Sequence, residues 1–361
     1  MDSTPNIYAE KTALVDVLGK ALETDGLENI IEIFKSHSKI CIDLTDSERD
    51  AIFTPDDFNN IDILLTLFNA FDIEKPIALK SYFEQMEEEE DAVVLHSNSY
   101  FLRDCTAIEA EQMREKYGVW VISKDEVSNR LFEYLSFKDE FEPDTYFGEN
   151  DNGWKNIVEA YNLRLPPSNS MIISDNYLLS NKVRNYVLGL ANLSHLLDVI
   201  IPKKLSVPYY ILILSPAKDY EETQMLQKVS EWKEDLIRSL NRAFDIHIEF
   251  VFSPRVIHKR IIYLNYCFIG TEKGFKVFMP FSNRVYRDGD QKNSVWTYTY
   301  FHDPLRAGRR EHQLAYDDIE KVRIIYKKAR ENFDNGVNTI GQPKFVDAPI
   351  GSIFSPNRIF D

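Results

Sequence analysis

Apolar runs of strand length alternate with helix-spaced stretches along most of the chain. KICIDLT (39–45), GVWVIS (118–123), SMIISDNYLL (170–179), YYILILS (209–215) and IHIEFVFS (246–253) predict strands, and AVVLHSNSYFLRD (92–104) predicts one or two more. Between them, helices are predicted over 8–38 (broken near Gly26), 56–71, 109–117, 190–202, 221–244 and 315–333. In 221–244 the apolar positions Met225, Leu226, Val229, Trp232, Leu236 and Leu240 share one face. HKRIIYLNYCFIG (258–270), GFKVFMP (274–280) and SVWTYTYF (294–301) predict three neighbouring antiparallel strands. Strands alternating with helices in both halves give an α/β fold, with sheets joined by helical crossovers.

The Gly-, Asn- and Asp-rich piece 141–154 and RLPPSNS (164–170) mark a join between halves. With a length of 361 residues, this predicts two domains: an acidic α/β domain over 1–150 and a second α/β domain over 168–333. The last 28 residues, 334–361, carry three prolines and three glycines and read as an extended C-terminal arm.

Charge sharpens the division. The net charge is −16, yet residues 1–167 hold 15 basic against 36 acidic side chains and residues 168–361 hold 27 against 22. The window 250–310 has 11 basic and 4 acidic side chains, a local positive surface able to attract nucleic acid in a molecule that repels it at long range. The run EEEED (87–91) is expected in an exposed loop.

No stretch reaches eighteen consecutive apolar residues, so no transmembrane segment is expected. The N-terminus lacks a basic flank followed by an apolar run, and Cys41, Cys105 and Cys267 show no paired spacing. Both point to a cytoplasmic protein with reduced thiols. No Gly-rich phosphate loop, H-E-x-x-H motif or Cys/His cluster is present, which removes the sequence grounds for an ATPase, a zinc hydrolase or a zinc finger. His195 reads as a core histidine among leucines, whereas His302 follows a strand near Arg306, Arg309 and Arg310.

HKRIIYLN (258–265) carries the clearest chemistry. Residues i and i+2 of a strand point to one side, so His258 and Arg260 face one pocket and Lys259 faces away. A histidine can attack phosphorus, and a guanidinium can hold a phosphoryl oxygen through its forked donors. Asn265 joins these two only if a bulge or the strand end intervenes. Asp175 and Tyr177 in SDNY could close on the pocket from the neighbouring strand, and Asp175 could equally cap a turn.

The segment has the form H-x-R-x4-N and resembles the H-x-K-x4-D motif of the phospholipase D-like superfamily. The order of elements from SMIISDNYLL through GFKVF resembles one half of such an enzyme over about 168–333, closest to the divergent branch at the C-terminus of MIT-domain proteins. The resemblance implies His258 as nucleophile, Arg260 in the place of the phosphate-binding lysine and Asn265 in that of an aspartate. Active members bring two motifs together and this chain has one, so catalysis implies a homodimer or a different second half. The MIT-linked branch implies instead a protein or lipid binding module.

In the acidic half, Asp43 lies near the end of CIDLT, Asp104 closes YFLRD and Asp125 follows GVWVIS. Carboxylates at neighbouring strand ends suit magnesium or manganese. Over about 37–135 this outline resembles a PIN-like metal nuclease. Three readings therefore stand: a nucleic-acid-directed phosphodiesterase or binding effector, with bacterial defence suggested by family analogy; a non-catalytic module for protein, phosphate or lipid; and a metal-dependent nuclease in the first half.

Overall fold

A computed structural model describes residues 6–23, 38–43, 98–126, 135, 137–141, 154–175, 186–216, 222–254, 260–272, 275, 294–299, 311–337, 339, 341–351 and 355–360. They form two compact units, one built mainly on Met1–Phe137 and the other on Lys138–Tyr300 with Gln313–Phe360. Helices and sheets occur in both, so the α/β class holds. The predicted helix at 56–71, the acidic run 87–91, and His258, Tyr177 and His302 lie outside the described residues.

The first unit contains β1 (Asn6–Glu10), α1 (Lys11–Glu23), β2 (Lys39–Asp43), β3 (Tyr100–Arg103), α2 (Ala107–Tyr117) and β4 (Trp120–Ser123). The helix expected from residue 8 begins at Lys11 instead. Residues 6–10 alternate in burial, with Ile7 and Ala9 inside, and so serve as a strand. The four strands are parallel in the order β2-β1-β3-β4. β3 and β4 are buried throughout, Tyr100–Leu102 and Trp120–Ile122 as apolar runs and Arg103 and Ser123 as buried polar ends. Thr106 and Glu109 cap α2 reciprocally, and Gly118 ends it in the left-handed conformation that glycine adopts without strain. Arg114 and Glu126, paired with each other, meet the backbone of β4 by donating to the Val121 carbonyl and accepting from the Ser123 amide.

The second unit runs β5 (Lys138–Phe141), α3 (Trp154–Tyr161), β6 (Ser170–Ser174), α4 (Tyr186–Ile200), β7 (Tyr209–Ser215), α5 (Glu222–Leu240), β8 (Ile246–Phe252), β9 (Arg260–Leu264), β10 (Cys267–Thr271), β11 (Val295–Thr299), α6 (Glu311–Asp334) and β12 (Lys344–Phe345). Its eight-stranded sheet has the order β12-β8-β7-β6-β9-β10-β11-β5. β6, β7 and β8 are parallel, and β9, β10, β11 and β5 continue antiparallel.

Three boundaries differ from expectation. Residues 138–141 pair with β11 and belong to the second sheet, not to a domain ending at 150; KDEF escaped notice because its charges suit an edge strand. HKRIIYLNYCFIG is two strands joined at Asn265 and Tyr266, and of GFKVFMP only Phe275 is described, outside any strand. The arm expected over 334–361 packs back on the sheet. Phe345, Ile359 and Phe360 are buried with α6, and Asn357 Nδ2 donates to the Met171 carbonyl at 2.8 Å.

Each face of this sheet has its own core. Met171, Ile173, Ile262, Leu264 and Ile269 pack with Trp154 and with Leu196, Leu197 and Leu236 of the crossover helices. Ile172, Leu212, Ile261 and Tyr263 pack against Ala315, Ile319, Val322 and Tyr326 of α6. Burial of such side chains contributes about 1.5–3 kcal/mol each before chain entropy is counted. These layers fix the strand ends where the polar residues lie.

Candidate functional site

β6 and β9 are antiparallel neighbours, with Ser174 opposite Ile261 and Met171 opposite Leu264. Continuing that register by one residue sets Asp175 opposite Arg260, and Arg260 itself pairs with Thr271 of β10. Side chains directly opposite each other in an antiparallel pair share a face. Here it is the face of Ile173 and Ile262, toward Trp154 and Phe275. Two residues 85 positions apart in sequence are thus brought to one end of the sheet.

Asp175 is 1% exposed, and its Oδ2 accepts the Phe275 amide at 3.0 Å. The Phe275 carbonyl accepts the Trp154 indole N–H at 2.8 Å, and the two rings lie 5.7 Å apart. Arg260 is half-buried and donates from Nη1 to the Glu272 carbonyl. Asp175, Arg260 and Trp154, from three elements, therefore all reach the chain just after β10. Phe275 and Trp154 were not singled out for the site by their sequence positions. An indole at the start of a helix and a phenylalanine after a strand give no chemical signal until the fold joins them.

Asn265 does not belong to this constellation, which corrects its expected place beside Arg260. It lies at the opposite end of β9, about 16 Å away at 3.3 Å per residue. There it is 2% exposed, and its Oδ1 accepts the amides of Asn169 at 2.9 Å and Ser170 at 3.1 Å. The strand stays regular between the two residues, so no bulge returns Asn265 to the Arg260 end.

At the carboxyl ends of the first unit's strands, the order reverses between β1 and β3, the position where open parallel sheets commonly take ligands. The groups there are Glu10, Arg103, Asp104 and Lys124. Arg103 donates to Glu10 Oε1 from Nε at 3.1 Å and Nη2 at 3.0 Å, and the Asp104 amide donates to Glu10 Oε2. Lys124 Nζ lies 2.5 Å from the Asp104 carboxylate and 3.5 Å from that of Asp16. The Lys124 ammonium, with Thr12, holds the Asp104 carboxyl below the usual carboxylate range. Asp125 is exposed on the 3-10 turn Lys124–Glu126, and the backbone of Asp43 closes β2. Among the described residues no three His, Cys, Asp or Glu side chains converge as metal ligands. Glu10, absent from the sequence-derived set, is the carboxylate at the centre of this edge.

Burial pushes the Cys105 thiol up to about 11 and that of Cys267 higher still, so neither is a thiolate nucleophile at neutral pH. Among the described residues no helix is long and apolar enough to cross a membrane.

No family model matches this sequence, and no curated protein matches it. Among solved structures, that of TrmBL2, an archaeal chromatin protein with a novel mode of DNA binding, aligns with 12% identity over 88% of this chain and 98% of that one. Its TM-score is 0.23, too low to carry an inference about fold or function.

Proposed function

We propose that the second unit is a degenerate phospholipase D-like module directed at nucleic acid, with Arg260 contacting a backbone phosphate and His258, two residues earlier in the sequence, as the nucleophile of any cleavage. The single observation that supports this reading is the β6–β9 register, which sets the Asp-bearing strand end opposite the start of the H-x-R strand. A guanidinium suits phosphate because its planar donors match two oxygens at once. The basic excess of 250–310 supplies the electrostatic attraction.

A second reading, a non-catalytic module for a protein, phosphate or lipid ligand, is favoured by the use of Asp175 and Asn265 on backbone amides. Turnover in the first reading requires either two copies, so that two His258 side chains approach across a two-fold axis, or a different second half.

Incubation with single- and double-stranded DNA and RNA, with EDTA or with magnesium or manganese, separates the readings. Histidine chemistry survives EDTA and is lost in His258→Ala. A metal-dependent activity of the first unit is lost with EDTA and in Asp43→Asn while His258→Ala leaves it intact. Binding without cleavage, weakened in Arg260→Ala, supports the effector form of the proposal. Absence of both binding and cleavage in the wild-type chain refutes it. A strictly monomeric mass in solution removes the dimeric hydrolase.

A further inference from the structure

We infer that Asp175 is a positioning residue, which fixes the backbone at Phe275 together with Trp154 and Arg260, and is not an acid or base of the site. This inference rests on the nucleic-acid reading for its functional consequence, but its geometry stands on three independent contacts. The Asp175 carboxylate accepts the Phe275 N–H, the Trp154 indole N–H donates to the Phe275 carbonyl, and Arg260 donates to the carbonyl of Glu272. Phe275 is thus held by both backbone polar groups, and its ring is fully buried in the core with Trp154.

The position of this clamp gives it a function. β10 ends at Thr271, and the Glu272 amide donates to the Ser294 carbonyl at 3.0 Å, at the base of the connection to β11. Residues 273–293 of that connection carry five basic and two acidic side chains. Asp175 therefore anchors the root of a basic connection, and does so from a strand that lies beside Arg260. A side chain at 1% exposure whose Oδ2 accepts a backbone amide is suited to hold a chain, since removing that acceptor would leave a buried N–H without it. A proton-transfer role would require Asp175 to reach a ligand instead.

The test compares Asp175→Ala, Asp175→Asn and Trp154→Phe in the full chain by amide hydrogen exchange of the peptide containing Phe275, alongside affinity for a thymidine oligonucleotide. Asp175→Asn keeps an oxygen acceptor, and Trp154→Phe keeps a ring while removing the donor. Loss of a buried hydrogen-bond partner is expected to raise exchange about tenfold or more in Asp175→Ala and Trp154→Phe, whereas Asp175→Asn stays within about threefold of wild type. Affinity should fall in the same two variants and persist in Asp175→Asn. If Asp175→Ala does not fold, Trp154→Phe decides the matter, with the β7 amides as the internal reference for folding. Unchanged exchange at Phe275 in the folded variants overturns the inference. So does an Asp175→Asn chain that keeps wild-type exchange but loses nucleic-acid cleavage, the signature of a proton-transfer role. If the wild-type chain binds no nucleic acid, the proposed function fails, while the exchange result still decides the positioning role.

Discussion

Asn265 and Asn169 are bonded in both directions: the Asn169 amide donates to Asn265 Oδ1 at 2.9 Å, and Asn265 Nδ2 donates back to Asn169 Oδ1 at 3.2 Å. With the Ser170 amide also on Oδ1, one side chain ties the β9–β10 turn to the start of β6. The two backbone donors fix which end of the Asn265 amide is oxygen. At the far end of the same strand pair, the register so fixed sets Arg260 opposite Asp175.

Asn265→Ala strands two buried amides and is expected to cost about 2–4 kcal/mol. Asn265→Asp keeps an acceptor for both and should cost less. Urea denaturation of the two variants checks the order; an alanine variant as stable as wild type would show that the turn is held by other contacts.

Glu249 on β8 is buried, and its Oε1 accepts the Tyr326 hydroxyl at 3.1 Å and the Ile350 amide at 2.8 Å. Burial raises its carboxyl above the ordinary glutamate value, against the lowering effect of these donors and of Lys233 and Arg330. The folded state therefore binds the proton more tightly than the unfolded state does. This stability contribution is fully present below the unfolded value and is lost as pH rises through the folded one. Glu249→Gln, which keeps an oxygen acceptor, should flatten that decline. Parallel thermal melts across the acidic range provide the comparison, and an unchanged pH profile would remove Glu249 as its source.

Gly270 faces Trp296 across the β10–β11 pair, and a Cβ at that position would overlap the indole. Gly270→Ala is expected to destabilise the chain by about 1–3 kcal/mol through overpacking. Combining it with Trp296→Leu should recover part of that loss. A double-mutant cycle with no coupling would show that the indole moves aside freely.

Legibility in the sequence followed how strongly a segment's local pattern agreed with its place in the fold. YYILILS and IHIEFVF are central strands of a largely parallel region, and their apolar runs identified them almost to the residue. Tyr8–Glu10 read as the start of a helix because five residues offer too short an alternation, and α1 follows at once. KDEF, with three charged residues of four, gives no apolar signal, because an edge strand carries its pairing in the backbone. The adjacency of the Asp175 and Arg260 strands was legible from element order. The grip of Asp175 and Trp154 on Phe275 was not, since it is made to backbone atoms and depends on packing across three elements. Glu10 was likewise hidden at the close of an unrecognised strand.

Affinity measured against salt concentration decides whether Arg260 contacts a nucleic-acid phosphate. Wild-type binding should weaken as salt rises, and Arg260→Ala should both lower affinity and reduce the logarithmic salt slope by about one. An Arg260→Ala chain whose affinity and salt slope both equal those of wild type would contradict it.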